Sequence, residues 1–311
     1  MKPSIQRTLR LIQSKHLAAC TAAALLAPIA QAVPIFEPAS PVAAFNTASF
    51  NDQVTDLSPD GLTAILQSDR TGRSRNYSST RPTITDPWSA PSNADFSATN
   101  SITNVGHGVL SPDGLSLFYQ DNPIIKQATR ATPSLPFSAG TAVPELNIGV
   151  AERPGKLSAN GLRMYLEIFD GTDTNLFVAD RPSISDPWST PTQGPFAANV
   201  NTADLEFEPF VTSDELQLYF ASTRLGGVGG IDIWWANRAS VADPFSAPEN
   251  VSTVNTLNSD RSPELFGSTL FFTSSRLGTN DVFSAAVPEP GSLALLLAAG
   301  VGALLHRRRG N

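Results

Sequence analysis

The densest carboxylate pattern in the chain is Asp204-Leu205-Glu206-Phe207-Glu208, three acids alternating with two apolar residues. Side chains along a β-strand alternate faces with a period of two, so this spacing predicts that all three acids share one side. Asp52, Asp56, Glu152 and Asp260 stand at comparable places ahead of their own turns. Such a set supports two chemistries: convergent carboxylates hold a hard cation such as Ca²⁺, and a pair flanking a sugar linkage cleaves it. A solvated strand face is the third reading. The candidate ligand-binding residues are therefore Asp204, Glu206, Glu208, Glu152, Asp260 and His107, with Asp204, Glu206 and Glu208 as the catalytic alternative. His107 lies between Gly106 and Gly108 on another predicted strand, and the other two histidines fall in the terminal segments. One histidine makes no metal cluster. Asp170-Gly171-Thr172-Asp173-Thr174-Asn175 offers oxygen ligands at loop spacing, so Asp170 and Asp173 are a candidate calcium site, against the reading that these residues simply favour a turn. No Gly-x-Ser-x-Gly elbow, zinc-spaced Cys/His set or phosphate-cradling glycine loop occurs. Non-enzymatic binding is the leading expectation.

The elements that position these residues form a repeat. RPTITDPWSAP (81–91), RATPSLPFSAG (130–140), RPSISDPWSTP (181–191) and RASVADPFSAP (238–248) are one motif, with an aromatic seven residues after the arginine. Upstream of each stands a turn followed by an apolar run: Ser58-Pro59-Asp60-Gly61, Ser111-Pro112-Asp113-Gly114, Ser158-Ala159-Asn160-Gly161 and Thr212-Ser213-Asp214-Glu215. A fifth copy spans 264–276, and successive copies start 53, 47, 54 and 52 residues apart. A period near fifty with Asp-Gly and Asn-Gly turns predicts β-meanders joined by two-residue hairpins. The apolar runs are hydrophobic on both faces, as in Leu216, Leu218 and Phe220 against Tyr219, so each sheet must pack between neighbours. Four-stranded blades around an axis satisfy this. The fold class is an all-β propeller of five blades, or six should a degenerate copy be present. Phe36-Glu37-Pro38 and Val42 to Thr47 match Phe245 to Pro248 and Val251 to Thr256, so an N-terminal strand is expected to close the last blade. Recurrent residues read as architecture: Arg81, Arg130, Arg181 and Arg238 should anchor the turn or stack on Trp88, Phe137, Trp188 and Phe245.

The Ser-Pro-Asp-Gly turns, Tyr219-Phe220-Ala221-Ser222-Thr223-Arg224 and Asp232-Ile233-Trp234 resemble the TolB-type, WD-like propeller repeat over nearly all of residues 36–286. The departures are Asp214-Glu215, which lacks the glycine; Pro123-Ile124-Ile125 in place of Asp-Ile-Trp; and a fifth copy without Asp-Gly.

The two ends differ in kind from the middle. Lys2, Arg7, Arg10 and Lys15 precede the apolar stretch Leu17 to Ala30, and Ala30-Gln31-Ala32 offers small residues for cleavage, so residues 1–32 read as a signal peptide. A lipoprotein signal acylated at Cys20 is the alternative. Either way the propeller, residues 33–286, contains no cysteine and must hold without disulfides. Residues 287–311 carry Pro288-Glu289-Pro290, an apolar run from Leu293 to Leu305 and then Arg307-Arg308-Arg309. This order resembles the PEP-CTERM sorting signal, which implies transient membrane insertion of a short C-terminal helix, processing by an exosortase, and display at or release from the surface of an exopolysaccharide-making cell. An ordinary C-terminal anchor is the alternative.

Of 21 basic and 28 acidic residues in the chain, seven basic ones and Glu289 belong to the two ends, which leaves 14 against 27 and a charge of −13 on the propeller. Nucleic acid, which needs a basic face, is excluded as a partner. Anionic polysaccharide is repelled unless divalent cations bridge it. Envelope protein or neutral glycan remains.

Overall fold

The computed structural model describes residues 31–100 and 104–288. Residues 1–30 of the export segment, Glu289, Pro290 and Arg307 to Arg309 lie outside the described residues. After a short strand β1 (Ser40–Pro41), the first blade is β2 (Asp52–Leu57), β3 (Thr63–Ser68) and β4 (Arg75–Thr80). The second is β5 (Val105–Leu110), β6 (Ser116–Asp121), β7 (Ile124–Thr129) and β8 (Thr141–Ala142). The third is β9 (Ala151–Leu157), β10 (Arg163–Phe169) and β11 (Thr174–Asp180). The fourth is β12 (Glu206–Val211), β13 (Gln217–Ser222), β14 (Asp232–Asn237) and β15 (Glu249–Asn250). The fifth is β16 (Asp260–Phe266), β17 (Thr269–Ser274) and β18 (Asp281–Ala286), with β1 added to its outer edge.

The first strands of the blades pack in succession, β2 on β5, β5 on β9, β9 on β12, β12 on β16, and β16 returns to β2. This is a closed five-bladed propeller, and no sixth blade occurs among the described residues. Closure follows the expected seam: Ser40 pairs with Ser284 and Pro41 with Phe283, while Glu37 N–H donates to the Ala286 carbonyl and Val42 N–H to that of Val282, both at 2.8 Å. All of these bonds lie within residues 36–286, so the ring completes itself and leaves no long unpaired edge.

Apolar residues on both faces of each blade make five clusters, one at each interface between neighbours. The recurrent arginines fasten these interfaces. The guanidinium carbons of Arg81, Arg130, Arg181 and Arg238 lie 4.3, 4.3, 4.2 and 4.4 Å from the ring centres of Trp88, Phe137, Trp188 and Phe245. Each Nε also donates to the turn carbonyl of its own blade, at Gly61, Gly114, Gly161 and Glu215. The aromatics reach backwards, Trp188 onto Phe118, Phe245 onto Phe196, and Trp88 across the seam onto Phe271.

Two local expectations are corrected. In the first four blades the turns are wider than two residues, as where Ser58 N–H donates to the Thr63 carbonyl, with Gly61 at φ +68° inside the loop and Asp60 capping Leu62 N–H; the fifth turns through Gly267 and Ser268 alone. Glu215 holds the same left-handed conformation at φ +59° without being glycine, its carboxylate tied to the Tyr165 hydroxyl of the neighbouring blade. The outer strand of the first and third blades shrinks to one bridged pair, Ser78 with Ser92 and Val178 with Thr192. There the following 3₁₀ turn starts two residues after the bridge, at Ala94 and Gly194, whereas in the second blade it waits until Pro144, three residues after Thr141.

Candidate functional site

The axis is where side chains of all five blades converge, and one irregularity decides which ones do. Pairing slips between Val54 and Asp56, Gly106 and Val109, Phe207 and Phe210, and Arg261 and Glu264; the third blade slips opposite Tyr165 and Leu166, at Gly155. A bulge inserts an extra residue and re-aims the side chains beyond it. His107, Glu208 and Ser262 sit in these bulges at φ +49°, +55° and +54°.

The bulge overturns the expectation that Asp204, Glu206 and Glu208 share a face. Asp204 precedes the strand in a bend. Glu206 is fully buried inside its own blade, accepting from Thr202 N–H and Oγ1 at 2.9 and 2.6 Å and from Arg224 at 2.9 Å. Asp52 repeats this clasp with Thr47 and Arg70, and Asp260 with Thr256 and Arg276. Glu152 is buried against the Gly149 and Ile148 N–H groups of its own loop, and burial raises its pKa against those bonds. The expected ring of acids at the strand starts is thus a set of loop clasps. Two of the predicted acids reach beyond their own blade: Asp56, described below, and Glu208, which accepts from Gln53 Nε2 at 2.9 Å and from Ser262 N–H and Oγ at 2.8 and 2.9 Å. Asp170 accepts from the Thr172 and Asp173 N–H groups of its hairpin, which hold its pKa low. No group of three or more His, Cys, Asp or Glu side chains placed to hold a metal occurs among the described residues.

At its waist, around Glu208, His107 and Ser262, the channel keeps only about 20 Å³, room for about one water. It therefore has two separate mouths. The mouth on the side of the loops between second and third strands is polar. Gln67, Asp69, Asn104, His107, Gln120, Asn122 and Arg153 line a cleft of about 380 Å³ there. Two of its charges are answered locally: Arg153 donates to Glu167 at 2.5 Å and to Gln120 at 3.2 Å, and Asp69 accepts from Asn51 twice at 2.8 Å; exposed Arg73 also lines the cleft. The Glu167 carboxylate raises the pKa of Arg153 against burial. Burial, then the charges of Arg153 and Arg261, push His107 well below its ordinary value, so its imidazole is neutral and offers a donor and an acceptor.

The mouth on the side of the hairpin turns is an apolar funnel of about 340 Å³. Its wall is one residue per blade, Leu57, Leu110, Leu157, Val211 and Leu265, joined by Phe210. Its floor is ionic. Lys156 donates to Asp56 at 2.5 Å, to Glu264 at 3.0 Å and to the Leu57 carbonyl at 3.2 Å, while Leu110 N–H donates to Asp56 at 2.8 Å. Phe210 lies 5.1 Å from the ammonium, so all five blades meet at this group. Burial alone would lower the pKa of Lys156, but Asp56 and Glu264 outweigh it and hold the ammonium charged. Burial raises both carboxyls against the attraction of Lys156, and Glu264, repelled also by Asp56, is pushed up to about 8. Sequence reasoning reached Asp56 and missed Lys156 and Glu264. The available signal was a lysine at the strand position where sibling strands carry Asp56 and Glu264.

No family model matches the chain, and no curated protein matches its sequence. Among solved structures, the chain is similar to the catalytic domain of the Coprinopsis cinerea GH62 α-L-arabinofuranosidase, at 12% identity over 81% of this chain and 97% of that one, with a TM-score of 0.53. It is likewise similar to the Podospora anserina α-L-arabinofuranosidase in complex with cellotriose, at 10% identity over 83% and 98%, with a TM-score of 0.52. A putative TolB from Agrobacterium tumefaciens is a third neighbour, at 17% identity over 76% of each chain and a TM-score of 0.47. At these identities the likeness is one of fold.

Proposed function

We propose that the protein is exported by residues 1–32 and passed through an exosortase-type processing enzyme, with transient membrane insertion of residues 287–311. Displayed at the cell surface or released into the extracellular matrix, its propeller binds neutral glycan without cleaving it. The observation that carries the binding reading is the polar cleft. Arg153 and Asp69 are already paired there, and the amides of Asn104 and Asn122, the NH₂ groups of Gln67 and Gln120 and a neutral His107 are placed to meet hydroxyl groups. The charge of −13 on the propeller also disfavours anionic polymers. Among the described residues no helix is long and apolar enough to cross a membrane, so membrane insertion rests on the segment beyond Pro288. Envelope protein is the second partner class that the charge leaves open.

A glycan array and titration calorimetry on residues 33–286 test this reading: a neutral oligosaccharide should bind, and Gln120→Ala and His107→Asn should each weaken it about tenfold. Failure of every neutral glycan would overturn it. The rival is glycan cleavage by Asp204, Glu206 and Glu208, and it predicts new reducing ends that vanish in Glu208→Gln. Two open carboxyl groups on one cleft are its requirement, and burial of Glu206 under Arg224 weighs against it. Unchanged surface display after replacement of Pro288, Glu289 and Pro290 by alanine would refute the sorting proposal.

A further inference from the structure

The funnel is left unused by the glycan reading, and its floor is one positive charge short. Lys156 faces two buried carboxyl groups, Asp56 and Glu264, whose side chains are 3% and 5% exposed. Buried carboxylates without a full complement of cations are costly. The deficit is met either by a proton or by a second cation arriving through the 340 Å³ cavity that opens onto Asp56 and Lys156. All three donors of the Lys156 ammonium are engaged, so the floor offers nothing to an anionic head group. Asp56 lines the cavity, and its oxygens, one bonded to Lys156 and the other to Leu110 N–H, keep free lone pairs. Above the floor, the five aliphatic residues and Phe210 suit a hydrocarbon chain.

We propose that the funnel binds a primary ammonium carried at the end of an aliphatic chain, the ammonium resting on Asp56 and the chain on the ring of Leu57, Leu110, Leu157, Val211 and Leu265. Such a ligand replaces the proton that Glu264 otherwise retains, so binding releases that proton. The charged and titratable groups facing Glu264 are Lys156 and Asp56 on the funnel side and Glu208 and His107 at the waist; Leu110 and Phe210 bring no charge. A free alkylamine and a lysine side chain of a protein share this chemistry. The inference is independent of the glycan reading, which concerns the opposite mouth.

The test is titration calorimetry on residues 33–287, whose ring closes within residues 36–286, with n-octylamine, n-octanol and octanoate at pH 8. Octylamine should bind about tenfold more tightly than octanol and octanoate not detectably, with proton release seen as a dependence of the heat on buffer. A Leu-Lys-Leu peptide capped at both ends separates the sources: saturable binding assigns the site to lysine side chains, and binding of octylamine alone assigns it to free amines. Leu157→Trp, which fills the funnel, should abolish binding of amine and alcohol together. Glu264→Gln should bring the amine down to the level of the alcohol. Should that variant fail to fold, the unmodified chain still decides, because its affinity for octylamine should rise about tenfold from pH 6.5 to 8 while that for octanol stays constant. Octanol binding as tightly as octylamine, a pH-independent amine affinity, or no saturable binding of either would overturn the proposal.

Discussion

The funnel and the polar cleft share almost nothing chemically: all five blades line the funnel, whereas the cleft is built by the first three, from β3, β5, β6, β9 and their loops. One gathers amides, an imidazole and paired charges; the other is a ring of five aliphatic residues over a buried lysine and two acids. The repeat fixes where the inner strands stand and leaves open what they carry. Chemistry enters where one strand departs from its siblings, as His107 does at the waist and Lys156 at the funnel floor.

The largest expected contrast is at the floor. Lys156→Met strands two buried carboxyl groups and should lower unfolding free energy at pH 8 by about 3–5 kcal/mol in urea titrations, with a smaller loss at pH 5, where Glu264 holds its proton. Equal losses at the two pH values would break the ionic description of the funnel. Glu206→Ala should cost about 2–3 kcal/mol because it leaves Arg224 buried without its partner, whereas Asp204→Asn should stay within about 0.5 kcal/mol. Similar values for the two would undo the distinction between a loop clasp and an open residue.

The mouths should also respond to pH in opposite directions. Glu264 keeps a proton in the fold up to about 8 and loses it near the ordinary 4.5 when unfolded, so its contribution favours the folded state at low pH and fades as pH rises between those values. Glu264→Gln should therefore gain about 1–3 kcal/mol at pH 8 and little at pH 5, read from the slope of stability against pH. His107 has the reverse sign: its folded value lies well below the ordinary 6.5, so acidification protonates the unfolded chain first and stability falls below pH 6.5. His107→Asn, which tolerates the left-handed backbone, should recover about 1 kcal/mol at pH 5. A flat acid limb in the unmodified protein would place His107 in open solvent.

Much of the fold was legible because it is written in local, repeated patterns. The turn at Ser58 to Gly61 and its three counterparts, the apolar runs, and the arginine seven residues before each aromatic all act within one blade or between neighbours. The seam was legible as well, since Phe36 to Thr47 duplicates the outer segment of the fourth blade, Phe245 to Thr256. The strand length of the outer edge was not, because it depends on where a 3₁₀ turn begins, at Ala94 or Pro144, a difference of one residue.

The candidate site was much less legible. Strict alternation put Asp204, Glu206 and Glu208 on one face, but the bulge at Glu208 and Pro209 breaks the register, turning Glu206 into its blade and Glu208 across the axis. The local signal was proline: Pro154, Pro209 and Pro263 stand inside inner strands at three of the slips, where a proline marks an edge or a bulge. The sequence alone determined the period of the chain, its all-β blades and the strand that seals them, because those follow from turn chemistry and hydrophobic pattern. Only the tertiary structure brought Lys156 to Asp56 and Glu264, which lie 100 and 108 residues away along the chain. Closure of a ring sets such distances, and no spacing along the chain encodes them.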